Sequence, residues 1–124
     1  MARKLFITDA VIAVLFGIGL VVVPAALLAL YGAADSPTAT FLARVLGAAV
    51  LGHGAIQWLA RDVAETAAGW AITRGNLAFD VVAAIAAALA VLSSAINLLG
   101  WGIVVLFAAL GAVRLYLITR PRLR

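Results

Sequence analysis

The stretch RVLGAAVLGHGAIQWLAR, Arg44 to Arg61, places only His53 and Gln57 as strongly polar side chains between its two terminal arginines. Everything else in it is aliphatic, glycine or tryptophan, and no proline interrupts it. As an α-helix rising about 1.5 Å per residue, this segment covers most of a hydrocarbon core about 30 Å thick. Read as a membrane span, it extends from about Thr38 to Ala60.

The composition requires the same reading of the whole chain. Of its 124 residues, 67% are hydrophobic and 11% charged, and the mean hydropathy is +1.22. A soluble domain carries about a quarter charged residues, so this chain lacks the polar groups to cover a water-facing surface. The expected fold is therefore an all-α polytopic membrane protein, a single four-helix transmembrane bundle over residues 1–124. Its spans are expected at about 5–30, 38–60, 72–95 and 98–119. Pro24 is expected to kink the first span, and Tyr31-Gly32 to end it. Ser36-Pro37 reads as an N-cap followed by proline at the first helical position. The segment RDVAETAAGW is expected to lie at the interface as a short helical turn, and SSAINLLG to form a tight turn. The opening MARK and its apolar run mimic a secretory leader. The run is longer than a leader's apolar core, however, and Asp9 interrupts its start, so it reads as a retained span.

Arg3, Lys4, Arg61, Arg74, Arg120, Arg122 and Arg124 all fall at one side of the four spans, while the opposite turns around Asp35 and Asn97 carry no lysine or arginine. The positive-inside rule then predicts both termini in the cytoplasm. The same reading explains the net charge of +4 as topology rather than as a nucleic-acid-binding face. With no cysteine, disulfides, thiolate metal sites and thiol redox chemistry of the vitamin K epoxide reductase type are excluded.

Charges within spans normally face protein or water. Asp9, His53, Gln57, Asn76, Asp80 and Arg114 are expected to form a polar cluster in the inner half of the bundle, either structural or ligand-binding. Asp9 reads as an end-of-helix acid or a proton carrier, and Asp80 with Arg114 as a structural ion pair or a transport pair. One histidine without cysteines makes a poor metal site, so neither metal nor cofactor is expected. Arg44 points away from His53 and is expected to snorkel outward or pair with Asp35. Gly47 and Gly54, with Trp58, suit a close helix or subunit contact, and Ala83, Ala84, Ala87 and Ser94 continue a small-residue face from Asn76 and Asp80. Trp58, Trp70 and Trp101 fit interfacial belts. No HExxH, paired-carboxylate metal motif or nucleotide loop is present, which argues against catalysis.

The length, the four spans, ARVLG early in the second span and RGNLAFD opening the third resemble small bacterial four-helix integral membrane proteins of the DoxX-like kind and similar families of unknown function. That resemblance covers most of the chain. It implies a multi-pass protein of the bacterial inner membrane, and a role as a membrane subunit accompanying redox enzymes. A small multidrug transporter has the same span number, but its hallmark acid lies mid-span, whereas Asp9 lies near an end. The leading expectation is a non-catalytic accessory subunit or scaffold that binds other helices and a lipid or quinone-like ligand. Its partners would be the bilayer, a second copy or a larger membrane complex, and not nucleic acid. The alternatives are a small proton-coupled transporter using Asp9, His53 and Asp80, and a membrane enzyme acting on a lipophilic substrate.

Overall fold

A computed structural model describes residues 1–120. Among these residues the chain is helical and contains no strand. The helices are α1 (Ala2–Val22), α2 (Pro24–Leu30), α3 (Pro37–Ala60), α4 (Ala67–Leu92) and α5 (Gly100–Thr119), with a 3₁₀ turn at Arg61–Val63. The four longer helices are long and apolar enough to cross a membrane. They form two helical units, one over Met1–Ala64 and one beginning at Glu65. Arg122 and Arg124, expected among the cytoplasmic cations, lie outside the described residues.

In the first unit α1 and α3 run antiparallel. Proline has no amide hydrogen to continue a helix, and here it does more than kink the expected first span. Val23 leaves helical geometry at φ −128°, ψ 52°, separating α1 from a one-to-two-turn α2 that begins at Pro24. Gly32 then takes φ 67°, a left-handed conformation that suits glycine, and the helix ends as expected. The Ser36 hydroxyl accepts a hydrogen bond from the Ala39 amide at 3.0 Å, and Pro37 occupies the first turn, so α3 starts as its sequence predicts.

Small residues set the approach of α1 to α3. A Cβ placed on Gly47 would lie 2.8 Å from Leu20 Cβ and 2.9 Å from the Gly17 carbonyl oxygen. One on Gly17 would lie 2.8 Å from Leu51 Cγ, and one on Gly54 3.2 Å from the Ala10 carbonyl oxygen. The expected close contact of Gly47 and Gly54 is therefore a contact with α1. Because these positions are seven residues apart on each helix, about two turns, they recur on one face.

The second unit is the antiparallel pair α4 and α5. Its helices differ from the expected spans at three ends. α4 starts at Ala67 rather than 72 because the Thr66 hydroxyl accepts from the Gly69 amide at 3.3 Å. The expected interfacial turn thus divides into the 3₁₀ turn and the first turn of α4. α4 stops at Leu92 rather than 95 because Ser94 adopts φ 59°. α5 starts at Gly100 rather than 98, after the Asn97 carboxamide oxygen accepts from the Leu99 amide at 3.0 Å. Phe79 and Phe107 bridge the pair edge to face, with centroids 5.5 Å apart and rings at 83°.

The glycine contact yields a direct test. Gly47→Leu should lower stability by about 1–3 kcal/mol through overpacking. Gly52→Leu should not, because nothing lies within 4 Å of its Cβ position; replacing glycine in a helix there should stabilise by up to about 1 kcal/mol. Thermal unfolding in detergent should place Gly47→Leu below wild type and Gly52→Leu at or above it.

Candidate functional site

Helical spacing puts Thr73, Asn76 and Asp80 on one face of α4, and all three are buried. Asp80 is 2% exposed and Arg114 on α5 is equally buried. The guanidinium Nη1 of Arg114 donates to Asp80 Oδ2. Gly111, one turn before Arg114, packs beside the acid: a Cβ there would sit 3.5 Å from Asp80 Cβ, an ordinary contact. Neither charge could remain alone in such surroundings, since an unpaired buried ion costs several kcal/mol. Because α4 begins earlier than its hydropathy suggests, Asp80 lies near the middle of that helix, about 20 Å from its first residue.

Two further α4 side chains meet burial differently. The Thr73 hydroxyl donates back to the Gly69 carbonyl at 2.9 Å, an internal bond for a residue that hydropathy alone does not single out. Asn76 is 8% exposed, and its Nδ2 donor has no hydrogen-bond partner among the described residues.

In the first unit Asp9 on α1 and Gln57 on α3 are buried, and His53 is half-buried. Gln57 Nε2 and His53 Nε2 stand 3.5 Å apart, one turn along α3. That is the outer limit of a hydrogen bond. Gln57 is fully buried, yet its Oε1 acceptor has no partner among the described residues. Asp9, His53 and Gln57 thus belong to the first helical pair, and Asn76, Asp80 and Arg114 to the second. Among the described residues, no three His, Asp or Glu side chains are grouped to hold a metal ion.

Arg44 is exposed, as its helical position predicts, and no ion pair joins it to Asp35 among the described residues. Asp35 accepts instead from the Thr40 hydroxyl at 3.2 Å, beside the Ser36 cap of α3. The sequence reading missed a cationic group at the other end of this unit. Arg3 Nε donates to Asp62 Oδ1 at 2.8 Å, and Arg61 Nη2 approaches Asp62 Oδ2 at 3.5 Å. Arg61 also donates to the Trp58 carbonyl and lies 4.4 Å over the Trp58 ring. The WLAR spacing held a clue to that stacking, because residues three apart on a helix are neighbours. The Arg3–Asp62 bond joins residues far apart in sequence and had no local signal.

No protein-family model, curated protein or solved structure matches this chain.

The Asp80–Arg114 pair predicts strong non-additivity. Asp80→Ala should cost about 3–5 kcal/mol by leaving a buried cation. The double variant Asp80→Ala/Arg114→Leu should be more stable than the single one. Strictly additive losses in a double-mutant cycle, read by denaturation in detergent, would show that the two are uncoupled.

Proposed function

We infer that this chain is a four-span protein of a bacterial inner membrane, with both termini cytoplasmic, and that it serves as a non-catalytic accessory subunit or scaffold for other membrane helices. The observation that carries this reading is the use made of the embedded charges. Asp80 and Arg114 are closed on one another between packed helices, while large apolar side chains such as Leu15, Leu59, Val82, Leu89 and Val105 face outward. The ion pair thereby supports helix packing, and the outward faces suit lipid or partner helices. ARVLG and RGNLAFD, the segments that resemble DoxX-like proteins, supply the buried Ala43, Gly47, Asn76 and Asp80. The cytoplasmic assignment rests on Arg3, Lys4, Arg61, Arg74 and Arg120, set against the cation-free segments 23–36 and 93–99.

Two measurements test this. Cysteines introduced at Ala33 and Thr66 should be labelled from outside intact cells at Ala33 only; labelling at Thr66 alone would reverse the topology. Gentle extraction and native mass spectrometry should find the 12.7 kDa chain in a stoichiometric assembly with another membrane protein. A bare monomer would overturn the accessory role.

Proton-coupled transport is the second reading. It is favoured by the partnerless Gln57 Oε1 and Asn76 Nδ2, since orphaned buried polar atoms are places where water or a ligand binds. On that reading His53, with Asp9 and Asp80, would carry the proton. His53→Gln keeps polarity and size but cannot titrate. Under the accessory reading it preserves folding and partner association. A stably folded His53→Gln protein that loses a function which in wild type titrates near the ordinary histidine range would favour transport instead.

A further inference from the structure

A shallow groove of about 390 Å³ runs along one side of the α1–α3 contact, lined by Ala10, Val14, Leu51, Gly54, Ala55 and Trp58. From Leu51 to Trp58 it is about 10 Å long, the length of seven helical residues. It is narrow because the glycine contacts draw the two helices together, and its lining side chains offer no charge. At the Trp58 end its character changes. The Arg61 guanidinium lies over the indole and is held there by the Trp58 carbonyl and by Asp62. Arg3 shares the same carboxylate, so two cations surround one acid at this end of the groove.

An apolar groove with a partly exposed guanidinium stacked on the tryptophan that lines one end matches one ligand chemistry. We propose that the α1–α3 groove is a binding site for an anionic phospholipid, with an acyl chain along Ala10, Val14, Leu51 and Ala55 and its phosphate at Arg61. This deepens the reading of the chain as a membrane-embedded subunit and rests on it. Charge complementarity selects the occupant: the excess cation attracts a net-negative lipid, whereas a zwitterionic lipid gains only the chain contact. Arginine suits this position because its planar group stacks on an aromatic ring and still presents N–H donors to phosphate oxygens.

Trp58 is a built-in reporter for such a lipid. In a Trp70→Phe/Trp101→Phe background, the full chain would be reconstituted into phosphatidylcholine vesicles. These would contain the same mole fraction of either acyl-brominated phosphatidylglycerol or acyl-brominated phosphatidylcholine. Brominated phosphatidylglycerol should quench Trp58 about fivefold more effectively, the preference expected for one well-placed arginine. Arg61→Gln should remove that preference while leaving quenching by both lipids. Ala55→Phe fills the groove from an exposed position and should reduce phosphatidylglycerol quenching to the phosphatidylcholine level.

Equal quenching of wild-type Trp58 by the two lipids would overturn the proposal, and so would a preference that survives either substitution. A companion chain with Trp101 as its only tryptophan separates the remaining outcomes. Trp58 shielded from both lipids while Trp101 is quenched would mean that a second copy or the chain's own other helices cover the groove, which overturns the lipid site alone. Quenching of neither tryptophan would overturn the membrane reading together with the site.

Discussion

The close approach of α1 to α3 through Gly17, Gly47 and Gly54 is the contact on which the first half of this molecule depends. In lipid, helices with leucine and valine on their outer faces gain little by exchanging hydrocarbon neighbours for one another, so association has to come from tight packing and polar contacts. Glycines at these positions let backbone meet backbone, as the approach of Gly47 to the Gly17 carbonyl oxygen shows. The same contact shapes the groove beside it and brings Arg3 to Asp62. A change of one side chain at Gly47 therefore reaches both the packing and the surface features beside it.

The second helical pair uses a different device. Asp80 and Arg114 supply a directional contact between α4 and α5, and the edge-to-face rings of Phe79 and Phe107 lie near it. A buried ion pair is a weak source of net stability, because desolvation offsets most of the attraction. It penalises wrong registers heavily, however, since sliding one helix would strand a charge in apolar surroundings. The pair is thereby a specifier of register, and Gly111 packs beside the acid at ordinary contact distance. The first pair buries Asp9 and Gln57 beside half-buried His53, and there the Gln57 Oε1 acceptor has no partner among the described residues.

The chain's architecture was legible to different degrees along its length. Four apolar helices, the stop at Gly32 and the cap at Ser36 followed from hydropathy and local turn chemistry, because each depends on neighbours within a few residues. Ends set by a side-chain cap or a left-handed residue, at Thr66, Ser94 and Asn97, shifted by a few positions; hydropathy averages over such details. Pro24 was seen as a kink, but the break at Val23 depended on how the backbone recovered after the missing amide. The pairing of Asp80 with Arg114 was anticipated from the requirement that embedded charges find partners. Arg3 with Asp62 was not, since both are exposed and nothing local demands that they meet.

The sequence by itself determined the solvent and the element type. So few polar groups cannot face water, and in lipid the backbone must satisfy its own hydrogen bonds within each helix. It also determined which side chains need partners. Only the tertiary structure decided which partners they found. It packed Gly47 and Gly54 of α3 against α1, gave Asp35 to Thr40 rather than to Arg44, and stacked Arg61 on Trp58 beside an apolar groove. The physical reason is that burial demands satisfaction in general, whereas contact depends on helix register and close packing, which are settled only when the helices come together.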